Sequence, residues 1–193
     1  MKYAHDVITK LKDEYDCRLG EEQIISIINA LEKRVALEIL RNTEVLFYDL
    51  KEGQTVVDLD FYARNIVNVY LNDTKLKLSG ALQDKGYHTK DKQLILDFNN
   101  PSGTLKIEHI AIPAPHTMLN YKMKILLLGE EHDEVYLYHV LSREALMDND
   151  IDRLNNFSLL YAEAINSLKK EVEENRRAGM AFDINSQRFK KVW

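Results

Sequence analysis

Residues 21–60 read EEQIISIINALEKRVALEILRNTEVLFYDLKEGQTVVDLD, and the spacing of their apolar side chains changes partway along. As far as Leu40, residues Ile24, Ile28, Leu31, Val35 and Ile39 fall on one stripe at helical spacing, widened by Ile25, Ala36 and Leu40. Glu21 and Glu22 sit in the first turn, where their charge complements the helix dipole. So broad an apolar face belongs inside a helical bundle. After Thr43 the period becomes 2, the spacing of side chains on one face of a sheet. A chain that switches from helix to strand here has mixed architecture, and the residues after Asp60 decide whether it returns to helix.

It does return, after a run of strands. EVLFYDL, QTVVDLD, NIVNVYLN and TKLKLSG read as short strands separated by Glu-Gly, a turn from Phe61 to Arg64, and Asn-Asp. Within them, Val67, Val69 and Leu71 are expected on one face, and Leu76 and Leu78 alternate with Lys75 and Lys77. GYHTKDKQLILDF reads as a hairpin turning at Asp91 and Lys92, and NNPSGTLKIEHIAIP as a turn through Pro101 to Gly103 followed by a last strand. Pro113 and Pro115 disfavour further pairing.

Helix resumes in HDEVYLYHVLSREALM, with Val135, Tyr138, Leu141 and Ala145 on one face. From Ile151 to about Arg177 the stripe Leu154, Phe157, Tyr161, Ile165, Leu168 and Val172 persists over roughly 40 Å. The last turns carry i,i+4 pairs (Lys169 with Glu173, Lys170 with Glu174, Glu173 with Arg177), which suggests an end projecting beyond the bundle. A short amphipathic helix over YAHDVITKLKDEY, with Val7, Ile8 and Leu11 apolar, precedes everything.

The predicted fold is α+β: a bundle of about four helices with an inserted antiparallel β module and an extended C-terminal arm. The divisions are 1–43 (first helices), 44–115 (β module), 116–178 (helical hairpin completing the bundle) and 179–193 (arm). Insertion of this kind requires the module's entry and exit to lie close together.

Composition narrows function. At 193 residues and 45% apolar the chain can bury a core, and its net charge of −5 argues against a protein devoted to gripping nucleic acid. A single cysteine, Cys17, cannot form an internal disulfide, and the six histidines lack zinc spacing, so no cofactor or metal is expected. No secretion signal or membrane span is expected, the latter needing roughly 20 apolar residues. GxSxG, Walker and GxGxxG motifs are absent.

Several clusters are candidates for chemistry. DNDID, with Asp148, Asp150 and Asp152, resembles a calcium-loop start, but Arg153 and Leu159 occupy the positions that need glycine and a bidentate glutamate. A helix-helix turn with an aspartate N-cap is the expected role. Glu130, Glu131, His132, Asp133 and Glu134 are consecutive and do not converge as facing ligands must, so a solvated acidic helix start is expected. His109 is expected as a strand residue. A small hydrolase or lyase site near His109 and His132 stays open as an alternative. So does a carbohydrate- or protein-binding module, which would require Tyr62, Tyr70 and Tyr87 to cluster outward.

The ending GMAFDINSQRFKKVW pairs Phe182, Phe189 and Trp193 with Arg188, Lys190 and Lys191. Such an arm can fray, stack on bases, or anchor in a partner's groove, and groove docking is preferred because the rest of the chain is acidic.

Three stretches resemble the head-to-tail adaptors of short-tailed phages, also called gatekeeper or tail tubular protein A: GQTVVDLDFYARNIVNVYLNDTKL, SGTLKIEHIAIPAP, and HDEVYLYHVLSREALMDNDIDRLNNFSLLYAEAINSLKKE. Asp73 stands where that family's hairpin favours glycine, and DLDFYARN lacks its turn proline. The resemblance implies a non-enzymatic virion protein at the head-tail junction, made in the host cytoplasm. It implies a homo-oligomeric ring, a dodecamer, under the portal protein, joined below to the tail nozzle protein and to tail fibres. DNA would pass through without specific binding, and no membrane would be involved. On this resemblance Phe182, Arg188, Phe189, Lys190, Lys191 and Trp193 are the expected portal-docking residues. Glu130, Glu131, Asp133 and Glu134 are candidate lumen acids that would repel DNA phosphates.

Overall fold

The computed structural model describes residues 1–79, 86–183 and 188–191. The chain divides into two compact units, Met1–Leu40 with Ile112–Trp193, and Arg41–Ala111.

The first unit is built on α1 (Ala4–Tyr15), α2 (Glu21–Val35), α3 (Asp133–Met147) and α4 (Ile151–Arg177). Helix α1 starts where the Asp6 carboxylate accepts from the backbone N–H groups of Lys2 and Tyr3, and stops at Asp16, which turns into the left-handed region at φ 51°. Helix α2 places every residue of its predicted stripe inside and runs on into a π-helical turn, Ala36–Leu40, which keeps Ala36, Ile39 and Leu40 buried. That turn leaves carbonyls without an intrahelical donor. The Arg176 guanidinium supplies donors to two of them, Ile39 O at 3.1 Å and Leu40 O at 3.3 Å.

Helix α3 departs from the single-faced reading. Val135, Tyr136, Leu137, His139, Val140, Leu141, Ser142, Glu144 and Ala145 are all buried, so the helix is enclosed on nearly every side. It packs against α1, α2 and α4 and is the centre of the unit. Helix α4 departs in the other direction. Its buried residues are Ile165, Leu168 and Val172, all in its C-terminal half, where it meets the π-helical turn through Arg176. The expected projecting end is therefore the packed end. Its first half, reached from α3 through a turn in which Asn149 takes φ 55°, buries no residue completely.

The expected extended arm is instead a hairpin, β8 (Met180–Asp183) antiparallel to β9 (Arg188–Lys191), with Phe182 opposite Phe189. Phe182 is buried in the core of the helical unit. β8 packs back against α4, and this gives the aromatic a seat within its own chain, where the sequence pattern points to a partner's groove.

The second unit is a seven-stranded sheet. Its strands are β1 (Thr43–Leu50), β2 (Val56–Asp58), β3 (Ile66–Leu71), β4 (Thr74–Leu78), β5 (Gly86–Lys90), β6 (Gln93–Leu96) and β7 (Gly103–Ile110), in the order β1-β7-β3-β4-β5-β6-β2. The first and last strands pair along their whole length, Thr43 opposite Ile110 and Leu50 opposite Gly103, and Ala111 N donates to Asn42 O at 2.8 Å. Entry and exit of the unit are thus neighbours.

Neighbouring strands are antiparallel except β4 and β5, which run parallel with Lys77 opposite Gly86 and Leu78 opposite Tyr87, a correction to the all-antiparallel expectation. The β3–β4 turn places Asn72 and Asp73 at φ 48° and 64°, the double left-handed geometry of a type I′ hairpin, so Asp73 serves where glycine would be easier. Asn72 also bridges Ser102 O and Thr104 N across Gly103, whose φ of 105° and lack of a side chain make room for the amide. A bulge between Ile66 and Asn68 breaks the predicted alternation in β3, leaving Val67 exposed while Val69 is fully buried. Leu76 is buried but Leu78 is exposed. The core gathers Leu50, Val57, Val69, Leu94, Leu105 and Ile107.

Candidate docking surfaces

Two buried carboxyl groups organise the helical unit. Glu32 on α2 is 2% exposed, and its Oε1 accepts from Leu127 N–H at 2.7 Å and from the Tyr136 hydroxyl at 3.0 Å. Its Oε2 lies 3.1 Å from His116 Nε2. The Tyr136 oxygen in turn accepts from Leu128 N–H, and one helical turn before Glu32 the Asn29 amide closes a two-way bond with the backbone of His116. Burial, with the Glu32 carboxyl second, pushes the Tyr136 hydroxyl well above its ordinary range, so it stays a donor. Both ends of the segment 116–128 are thereby fastened to α2 and α3.

Glu144 on α3 does the same for the α1–α2 connection. It accepts from Arg18 N–H at 2.5 Å and from the Arg153 guanidinium of α4 at 3.1 Å. Burial raises the Cys17 thiol above its usual value, with a smaller contribution from Glu144, which makes it an inert core residue rather than a nucleophile.

Between its fastened ends, the segment 117–125 turns apolar side chains outward. Leu119 is 92% exposed and Met123 74%, with Met118 and Ile125 also exposed. Beneath them Tyr121 is buried, donates to Glu21 Oε2 at 3.0 Å and lies edge-on to His5. Lys124 donates to Ala114 O, and burial lowers its pKa, while Lys122 is exposed over the Tyr121 ring. Sequence reasoning missed this surface. Its signal was misleading: Leu119, Tyr121, Met123 and Ile125 alternate with Asn120, Lys122 and Lys124 at the strand period, yet the segment folds as turns with a single bridge from Ile125 to Tyr3.

A second apolar surface lies at the α3–α4 turn, where Leu146, Met147, Ile151 and Leu159 are exposed among Asp148, Asp150 and Asp152. Asp150 Oδ1 accepts from Arg153 N–H at 3.0 Å, the N-cap expected of it. The sheet unit presents a third on β1, β7 and β3: Val45 and Phe47 are exposed, Phe47 lies opposite Lys106, and Lys106 lies opposite Tyr70. Lys106 sits 4.7 Å from the Tyr70 ring and 2.9 Å from Glu108, and its ammonium together with the Asn68 amide holds the Glu108 carboxyl below its usual range.

The candidate residues of the sequence occupy separate places. Glu130, Glu131 and Glu134 are exposed around the start of α3, whereas Asp133 accepts from the Met1 amino group at 2.6 Å and is raised by burial. His132 is buried with Nε2 3.3 Å from Glu171. His109, in the other unit, is buried and stacked on Phe61 at 3.9 Å between centroids. Each histidine has its own surroundings. A shallow depression of about 490 Å³ on the sheet unit is lined by Asp58, Tyr62, Lys90, Asp91, Lys92 and Gln93, with neither histidine present. Tyr87 is buried, so Tyr62, Tyr70 and Tyr87 do not form the outward aromatic cluster that a carbohydrate-binding reading needs.

Among the described residues, no group of three His, Cys, Asp or Glu could hold a metal, and no helix is long and apolar enough to cross a membrane. Of the expected arm residues, Phe182 is a core residue, Arg188, Phe189, Lys190 and Lys191 form β9, and Trp193 lies outside the described residues. Compared with known families, residues 3–183 match the model of the SU10 adaptor protein. No curated protein matches the chain.

Proposed function

The chain belongs to the SU10 adaptor protein family, and from that premise we propose that it is a structural virion protein of a bacteriophage that forms a ring below the portal and carries the tail nozzle. The observation that carries this reading is the extent of the match, which takes in both units and β8 together. The structure supports it in kind: its distinctive surfaces are exposed apolar patches on rigid supports, which suit protein docking. Nothing in the family points to catalysis.

In this reading the hairpin is the portal contact. Phe182 roots β8 in the helical core, and Arg188, Phe189, Lys190, Lys191 and Trp193 meet the portal, basic and aromatic side chains being typical interface anchors. Glu130, Glu131 and Glu134 face the DNA channel with Asp133 behind them, repelling phosphates without binding DNA. The face carrying Val45, Phe47, Tyr70 and Lys106 receives the nozzle protein and neighbouring tail fibres.

The test for the hairpin is cosedimentation of the variant Lys190→Glu, Lys191→Glu, Trp193→Ala with purified portal. At least a tenfold loss of binding with unchanged circular dichroism is expected. Wild-type binding would remove the hairpin from the portal interface. Removing residues 179–193 outright is a poorer test, because it also takes Phe182 from the core.

A further inference from the structure

Two of the exposed apolar patches belong to the same helical unit, one on the segment 117–125 and one at the α3–α4 turn. The segment 117–125 leads through Leu126–Leu128 toward the start of α3 and packs on α2 through Tyr121 and Glu21, while Leu146 and Met147 belong to the last turn of α3. They differ in charge. The first patch, Leu119 and Met123, is flanked by the exposed Lys122 and has no acidic residue in 117–125. The second, Met147 and Ile151, is flanked by Asp148, Asp150 and Asp152 and has no basic residue in 146–152.

We infer that these two surfaces are partners: the 117–125 segment of one copy seats on the α3–α4 turn of the next. Two unlike patches of opposite charge on one unit make a heterologous, head-to-tail contact, the kind that repeats around a ring when its rotation closes, rather than closing into a two-fold dimer. Leu119 and Met123 are suited to insertion because their supports are fixed, so little conformational freedom is lost on contact. The opposite charges at the margins set the register and disfavour like-to-like pairing of either patch. This inference rests on the ring reading and supplies its subunit interface.

The experiment is disulfide trapping in the full chain bound to purified portal. The double variant Leu119→Cys with Ile151→Cys is oxidised beside each single variant, with portal binding measured in the same samples and native Cys17 left in its buried place. A covalent ladder of chains is expected in the double variant, at least tenfold above either single variant. Mixing the two single variants should give a covalent dimer and nothing larger. Portal binding without a ladder, or a Leu119→Cys chain that links only to itself or to portal, overturns the inference and leaves the adaptor reading standing. Failure of wild-type protein to bind portal overturns that reading instead.

Discussion

Replacing Glu32 by alanine tests the polar seat of the helical unit. The substitution takes the acceptor from three buried donors: Leu127 N–H at 2.7 Å, the Tyr136 hydroxyl at 3.0 Å, and His116 Nε2 at 3.1 Å. Each orphaned buried group costs about 1–3 kcal/mol, so the sum is about 3–9 kcal/mol, and water entering the vacated space brings it toward the lower figure, about 3 kcal/mol. Against a total stability of about 5–15 kcal/mol that is a large share, equivalent to a fall in Tm of roughly 10 °C. Glu32→Gln keeps an acceptor oxygen for Leu127 and Tyr136 but turns an amide donor toward His116, and should cost about 1 kcal/mol. Calorimetry gives the stabilities, and amide exchange at Leu127 and Leu128 should accelerate in the alanine variant. A Tm unchanged from wild type, with unchanged protection at those amides, would refute the role assigned to Glu32.

His139 gives a pH prediction. Burial first, then Arg34 and Arg143, holds its pKa at about 4, below the 6.5 of the unfolded chain. The unfolded state therefore binds the extra proton, and this residue's contribution is full above pH 6.5 and lost as pH falls toward 4, by about 3 kcal/mol in all. His139→Phe should flatten the wild-type slope across that window in urea titrations; equal slopes would contradict the assignment. Phe182→Ala should cost about 3–5 kcal/mol, as for a buried aromatic, while Leu119→Ala should stay within about 0.5 kcal/mol in the same denaturation series. A Phe182→Ala protein as stable as wild type would return the aromatic to the surface. Asp150→Ala removes the cap of α4 and should cost about 1 kcal/mol by thermal unfolding.

The mixed helix-sheet character was legible because periods of 3.6 and 2 are local properties. The stripe of α2 continues correctly into the π-helical turn, and the chain reverses at Asn72-Asp73 as its turn residues predict. What escaped were effects of tertiary enclosure. Helix α3 carries Tyr136, His139 and Glu144 on what reads as its solvent side, and only the packing of three other helices buries them. Glu32 and Glu144 look like surface charges until their partners, up to 126 residues away in sequence, are in place. The bulge at Val67 depends on pairing with β7, and the parallel β4–β5 contact depends on sheet order. Phe182 reads as a partner-docking residue because no local pattern signals that β8 folds back onto α4.

Assembly of this chain on a portal is decided by electron microscopy of the purified protein mixed with the portal of the same phage, beside each component alone. A ring of this chain seated on the portal is expected, with density from residues 180–191 against the portal surface. Portal particles that stay bare, with the added protein remaining separate, would contradict the adaptor reading.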